Sequence, residues 1–122
     1  MAKIFLDRLA RRIDRATSGR IGDVTLSCKH FFSGAAVYAN GRICASLTPA
    51  GFAIKLPKAS RDRLLRQRGA KPLKYFARGA IKKEYVVMPD ALVDDPRRLR
   101  RWLEVSVTYV LGKPRREKAP GA

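Results

Sequence analysis

The sequence predicts an α+β fold in which helices cover a mostly antiparallel sheet of five to six strands. Apolar residues recur at helical spacing near both ends of the chain, and alternation with a period of two fills the region between them. Short connections rich in glycine, proline or asparagine separate these segments. The expected order is a helix, four strands, a helix, two strands and a final helix, which together form a single domain over residues 1–112.

The first helix is predicted over residues 4–16. Phe5, Leu9 and Ile13 fall on one side at a spacing of 3.6 residues, and arginines occupy the other side. Gly19 is suited to end the helix, because glycine adopts the left-handed conformation that follows many helices.

The last helix has the clearest start signal in the chain. Asp95 is expected to cap it, Pro96 occupies its first position, and Gly112 closes it. Its buried stripe is expected to contain Leu99, Trp102, Leu103, Ser106, Val107 and Val110.

Residues 31–47, FFSGAAVYANGRICASL, predict a β-hairpin around Asn40-Gly41, the pair that best suits a type I′ turn. A phosphate-binding loop is excluded because no helix follows directly. The two-residue turn places Ala39 opposite Arg42, Tyr38 opposite Ile43, and Val37 opposite Cys44. The core face is then expected to hold Ala36, Tyr38, Ile43, Ala45 and Leu47.

The remaining elements are shorter. Strands are predicted over residues 24–30, 52–56, 73–77 and 81–88, and a short helix over 58–68. Residues 113–122 are basic and poor in apolar side chains, so they predict a disordered tail.

The net charge of +17 is extreme for 122 residues. Basic residues concentrate in residues 1–20, 57–83 and 97–122, and an acidic patch interrupts them at 84–96. Such a charge attracts polyanions, which indicates DNA or RNA as a partner. The alternatives are a surface that is merely solvated and, with less support, binding to an acidic membrane surface.

The N-terminal segment carries charges where a secretory signal needs an apolar run, and no stretch is long enough to span a membrane. A cytoplasmic location with reduced thiols is therefore expected. Cys28, His30 and Cys44 are too few to complete a tetrahedral zinc site, and nothing nearby supplies a third member of a nucleophilic site. They are expected to fill the core, and no metal or cofactor is predicted.

Several short motifs occur in an order that resembles the N-terminal domain of the TfoX/Sxy family. A Phe-Phe-Ser-Gly stretch, an aromatic and Asn-Gly come first, and a FAIKLP strand follows at residues 52–57. The matching positions are Phe31, Phe32, Ser33, Gly34, Tyr38, Asn40, Gly41, Gly69, Pro72, Leu73, Tyr85, Pro89, Leu92, Asp94 and Trp102. Ser33-Gly34 stands where the family has Gly-Gly.

This resemblance implies a compact fold similar to type III secretion chaperones and YjbR-like domains, without a cofactor. It also implies a bacterial regulatory protein associated with competence genes, not an enzyme, with the cAMP receptor protein as a possible partner. The second, helical domain of longer relatives is absent from this sequence.

Two sets of basic residues are candidates for nucleic-acid binding. One lies along a predicted sheet edge with aromatic neighbours and comprises Lys71, Lys74, Arg78, Lys82 and Lys83. The other comprises arginines of the first and last helices, which converge only if both helices lie on the same side of the sheet: Arg8, Arg12, Arg15, Arg97, Arg98 and Arg101.

Two other interpretations remain. The domain could be an adaptor, monomeric or dimeric, that binds a protein partner such as a transcription regulator through an apolar patch or sheet edge. The acidic residues Glu84, Asp90, Asp94 and Asp95 could act as paired carboxylates of an enzyme, although Asp95 is better explained as a helix cap.

Overall fold

A computed structural model describes residues 2–74 and 79–112. The helices are α1 (Ala2–Thr17), α2 (Lys58–Leu65), α3 (Asp90–Val93) and α4 (Pro96–Gly112). The strands are β1 (Arg20–Ile21), β2 (Val24–Phe31), β3 (Gly34–Ala39), β4 (Arg42–Thr48), β5 (Gly51–Lys55), β6 (Lys71–Leu73) and β7 (Lys82–Val87). The predicted tail at 113–122 and most of the strand predicted over 73–77 lie outside the described residues.

The strands form one antiparallel sheet in the order β1-β2-β3-β4-β5-β7-β6. The α+β class and the antiparallel sheet are thus confirmed, but the sheet has seven strands where five to six were expected. The additional strand, β1, has only two residues, and the additional helix, α3, has four. Elements this short contain too few residues for a periodic pattern.

Helices α1 and α4 pack beside each other on one face of the sheet, α1 against β2, β3 and β4, and α4 against β4 and β5. The core between these layers contains Leu9 and Ile13 from α1, and Leu103 from α4, all almost fully buried. The opposite face of the sheet has a small separate cluster around Ala53 and Val87. One face of the sheet therefore carries the main core and orients both long helices.

The start of α4 is as predicted. The Asp95 Oδ1 atom accepts hydrogen bonds from the backbone N–H groups of Arg97 at 3.1 Å and Arg98 at 3.3 Å. At the other end, the Arg42 guanidinium donates a 2.7 Å hydrogen bond to the Val110 carbonyl. A positive charge at this end of a helix also interacts favourably with the helix dipole. Both ends of α4 are thus fixed by side chains.

Replacing the cap should destabilise the domain measurably. For Asp95→Ala we expect the free energy of unfolding to fall by about 1 kcal/mol, because the first N–H groups of α4 lose their acceptor. Thermal unfolding should show a midpoint about 4 °C lower. Asp95→Asn keeps the acceptor and should unfold within a few tenths of a kcal/mol of the parent. Equal losses in the two variants would mean that the cap hydrogen bonds are not responsible.

The β3–β4 hairpin corrects one part of the predicted register. Asn40 and Gly41 both have positive φ, 50° and 79°, and Tyr38 lies opposite Ile43, as expected. Val37, however, pairs with Ala45 and not with Cys44, because a bulge inserts one extra residue into β4.

The residues that face the core also differ from those predicted. Ala35, Val37 and Ala39 pack into the main core, and Cys44 joins Ala45 and Leu47 there. Tyr38 and Ile43, which were predicted to face the core, are only half-buried and do not join the main core, so this part of the prediction is wrong. Ala36 is fully buried as predicted, but it lies outside the main core. On β4, the extra residue breaks the strict alternation on which the prediction depended.

Among the described residues, no helix combines the length and the hydropathy that a membrane span requires.

Candidate nucleic-acid interface

The first and last helices lie side by side, which is the condition that the sequence left open for the convergence of their arginines. Arg8, Arg12 and Arg15 follow one stripe of α1 at intervals of four and three residues. Five of the six predicted helical arginines are exposed and Arg12 is half-buried. We refer to Arg8, Arg12, Arg15, Arg97, Arg98 and Arg101 as the helical arginine surface.

A direct contact joins the two halves of this surface. The Arg12 Nη2 atom lies 3.2 Å from Asp94 Oδ1, just before α4 begins. Arg12 and Arg15 also line a crevice of about 20 Å³ with Pro96 and Leu99 of α4. The Arg12–Asp94 pair lies at the contact between α1 and the start of α4, and as a largely exposed ion pair it adds little stability to that contact.

A larger cleft opens between α4, α3 and the segment that follows α2. It has a volume of about 320 Å³ and is lined by Gln67, Leu92, Arg98, Arg101 and Trp102. We call it the α2–α4 cleft.

The guanidinium of Arg63 on α2 lies over the Trp102 ring, 5.5 Å from its centre. Arg63 and Gln67 were missed by the sequence interpretation, which treated α2 only as a short helix. The basic residues at 58–68 were a signal in the charge pattern, but their position beside Trp102 depends on tertiary packing.

The second predicted set lies elsewhere. Lys71, Lys74, Lys82 and Lys83 are exposed around β6 and β7, which form one edge of the sheet. Helices α1 and α4 pack over β1 to β5. Arg78, the fifth member, lies outside the described residues. The structure therefore assigns the two sets to different parts of the fold, and we call these four lysines the sheet-edge lysines.

A third feature occupies the tip of the β2–β3 hairpin. Phe32 is 81% exposed and has a φ of 52°, a conformation that bulky residues rarely adopt. It borders a pocket of about 430 Å³ that also contains Pro49, Ala50 and Lys82. We call this the hairpin-tip pocket.

Several residues of the family motif have structural roles. A Cβ atom at Gly34 would overlap the Leu47 carbonyl oxygen, so the first residue of β3 must be glycine for β4 to approach. Gly69 has a φ of 90° and packs against Pro89, which precedes α3. Pro72 lies in the edge strand β6, where the absence of a backbone N–H does not remove a hydrogen bond between central strands of the sheet.

The motif tyrosines each stack with a lysine. The Lys29 Nζ atom lies 5.6 Å from the centre of the Tyr38 ring. The Lys55 Nζ atom lies 5.8 Å from the centre of the Tyr85 ring. Both are cation–π contacts on strands of the sheet, and Trp102 makes the third with Arg63.

Three of the four carboxylates of the acidic patch have partners within the fold. Asp95 caps α4, Asp94 pairs with Arg12, and Glu84 accepts a 2.9 Å hydrogen bond from the Tyr109 hydroxyl. Asp90 is exposed in the first turn of α3. This arrangement favours structural roles over paired catalytic carboxylates.

The cysteine thiols are held in their protonated form. Cys44 is fully buried, its Sγ donates to the Val37 carbonyl at 3.5 Å, and burial raises its pKa from 9.0 to about 12. Burial also raises the pKa of Cys28, which is half-buried. His30 is exposed, so the expectation that it fills the core is wrong. No group of three or more His, Cys, Asp or Glu side chains that could hold a metal ion occurs within residues 2–74 and 79–112.

Cys44 should therefore resist thiolate-directed labelling. In a Cys28→Ser variant at a pH of about 8, we expect no reaction in the folded protein and rapid reaction in denaturant, because only the thiolate is nucleophilic. The folded chain also binds this proton more tightly than the unfolded chain. Stability should consequently decrease as the pH rises from 9.0 toward about 12. Rapid labelling under native conditions would contradict the burial.

Comparison with known proteins gives one clear similarity. The family model for the TfoX N-terminal domain matches residues 19–109. This range begins just after α1, which lies outside it, and extends almost to the end of α4, so it includes the whole sheet and the α2–α4 cleft. No curated protein matches the sequence.

Proposed function

The chain belongs to the TfoX N-terminal domain family, and on that premise we propose that it is a non-enzymatic regulatory domain that binds nucleic acid through its helical arginine surface. Family membership supports a regulatory role in general terms. Regulation of transcription, including that of competence genes, is the specific role we propose. It requires the cytoplasmic location expected from the sequence.

One observation carries this proposal: α1 and α4 pack side by side, and Arg12 of α1 contacts Asp94 directly before the start of α4, the helix that carries the other arginines. Guanidinium groups suit phosphate oxygens because their N–H groups form a planar fork that can donate two hydrogen bonds at once. The net charge of +17 adds long-range attraction to a polyanion. Three carboxylates of the acidic patch, those of Glu84, Asp94 and Asp95, have partners in the fold, and burial keeps the Cys44 thiol protonated, which favours binding over catalysis.

The contacts expected from such a surface go to phosphates and not to base edges in a groove. Phosphate contacts position a protein on a duplex without reading its sequence. Duplex DNA should therefore be bound with weak sequence preference and with an affinity that depends strongly on salt.

The test is the affinity for a duplex of mixed sequence, measured by fluorescence anisotropy over a series of salt concentrations. We expect clear binding at roughly 50 mM salt and a decrease of log K with log salt of about 0.9 per phosphate neutralised. The absence of binding at the lowest salt concentration would reject the proposal.

A second candidate function is favoured by the hairpin-tip pocket. We propose as its occupant an extended peptide that carries both apolar and acidic residues, since the pocket contains Phe32 and Pro49 and the net charge of +17 favours an acidic partner. Such a peptide could belong to a transcription regulator.

A synthetic peptide that alternates leucine and glutamate is a suitable probe for this pocket. In calorimetric titration, Phe32→Ala should weaken its binding at least fivefold. Ile81→Ala serves as the control, because Ile81 is also exposed but does not line the pocket. Equal affinities of the two variants would show that the peptide is held by charge alone.

A further inference from the structure

The α2–α4 cleft differs from the rest of the helical arginine surface because it has an aromatic wall. Trp102 is half-buried and lines the cleft together with Arg98, Arg101 and Gln67. Its volume of about 320 Å³ is at the lower end of the range for small-molecule sites. This is the size of a site for one compact group, not for the edge of a duplex.

The two arginines that line the cleft, Arg98 and Arg101, differ in whether a carboxylate lies next to them. The Arg98 Nε atom lies 3.5 Å from Asp95 Oδ2, so this guanidinium is already oriented by a carboxylate. Arg100 pairs with Glu104 at 3.1 Å and does not line the cleft. Arg101 has no carboxylate partner among the residues of 2–74 and 79–112, which leaves its charge available for an anion entering the cleft.

The Arg63–Trp102 contact indicates which flat group fits here. A guanidinium lies over this ring with its centre 5.5 Å away, so the ring accepts a planar, electron-poor partner. A nucleobase stacks on tryptophan more strongly than an exposed cation does, so it can compete with Arg63 for the ring. Gln67 adds an amide that both donates and accepts hydrogen bonds, as base edges require.

Resting on the function proposed above, we propose that the α2–α4 cleft binds one unpaired nucleobase together with its phosphate. The base stacks on Trp102, and the phosphate contacts Arg101 and Arg98. In a duplex the faces of the bases are covered by their neighbours, so only a single strand, a strand end or a free nucleotide can supply this group. The domain therefore prefers single-stranded over duplex nucleic acid.

Trp102 is the only tryptophan of the sequence, so its fluorescence reports on this cleft alone. The probes are an oligothymidylate of roughly 12 nucleotides, a duplex of the same length, an abasic oligonucleotide and thymidine monophosphate. Anisotropy of labelled probes measures binding independently. We expect the oligothymidylate to quench Trp102 by more than half, and the duplex and abasic strands to bind with little quenching.

Variants separate stacking from charge. Trp102→Phe preserves the packing of a half-buried ring and should lower the affinity for the oligothymidylate about tenfold, with the duplex affinity changed less than twofold. Gln67→Ala should lower the affinity for the oligothymidylate but not for the duplex, and it should not affect folding because Gln67 is exposed. Arg97→Ala is the matched control, because Arg97 does not line the cleft. It should lower the affinities for the oligothymidylate and the duplex equally and leave the quenching of Trp102 unchanged.

The outcomes distinguish the two proposals. Equal binding of single strand and duplex without quenching would refute the cleft proposal and leave phosphate binding intact. Quenching by thymidine monophosphate without any binding of the strands would support the cleft, with a free nucleotide as the source, and refute the polymer-binding function. Absence of binding and quenching with every probe would overturn both.

Discussion

Replacing Gly34 by alanine should lower the free energy of unfolding by about 3 kcal/mol, at the upper end of what overpacking usually costs. Gly34 begins β3, and a Cβ atom there would overlap the Leu47 carbonyl oxygen and approach the Thr48 Cα atom to 2.9 Å. Both atoms belong to the backbone of β4 in the centre of the sheet, so neither can move aside without breaking the β3–β4 pairing. Urea denaturation measures the loss.

Gly22→Ala is the matched control. Gly22 also lies in a tight turn and has a φ of 59°, but nothing lies within 4 Å of a Cβ atom there. Its alanine variant should lose only about 1 kcal/mol, the cost of the left-handed conformation. If the two variants were equally stable, close approach of β4 would not be the reason for glycine at position 34.

Leu103→Ala should have a comparable effect, with a loss of about 3 kcal/mol. Leu103 is fully buried at the contact between α4 and the sheet, and its truncation leaves a cavity in the main core. The same helix carries Arg98, Arg101 and Trp102, so its loosening should also weaken nucleic-acid binding at temperatures where the variant is still folded.

The control for this substitution is Leu65→Ala. Leu65 is 38% exposed at the end of α2, and its removal should change stability by no more than about 0.5 kcal/mol. Chemical denaturation of the two variants under the same conditions compares identical chemical changes in different environments. Similar losses would contradict the assigned position of Leu103 in the core.

The parts of the fold that could be predicted are those determined by residues close together in the sequence. The start of α4 follows from an aspartate before a proline, and the β3–β4 turn from Asn40-Gly41, because these residues favour one backbone conformation wherever they occur. The stripe of α4 was likewise predicted, since its period is fixed by helix geometry, except that Trp102 is only half-buried.

The bulge at Cys44 could not be predicted. One extra residue in a strand leaves no mark in a run of small apolar side chains, and both registers appeared equally apolar. As a result, Ala45 and Leu47 share the core face with Val37, and the predicted pairing of Val37 with Cys44 was wrong although the turn itself was correct. Local turn chemistry determines where pairing starts but not whether it continues without interruption.

The candidate site was only partly predictable for a similar reason. The six arginines follow from the exposed faces of two helices, but their convergence required the helices to be neighbours, and the sequence left this open. The α2–α4 cleft depends on contacts between residues far apart in the chain, Arg63 and Trp102. Charge composition indicated the chemistry, and tertiary packing determined which residues share a surface.

The most direct test of the central claim compares two triple variants with equal loss of charge. One removes Arg8, Arg15 and Arg97 from the helical arginine surface, and the other removes Lys71, Lys82 and Lys83 from the sheet-edge lysines, each by substitution with alanine. The measurement is the slope of log K against log salt for duplex DNA. For the arginine variant we expect a slope that is less steep than the parental slope by about 0.9 per lost phosphate contact, or roughly 2.7 in all. The lysine variant should retain the parental slope. Equal slopes for the two variants would mean that binding follows total charge, and the helical arginine surface would not be the binding site.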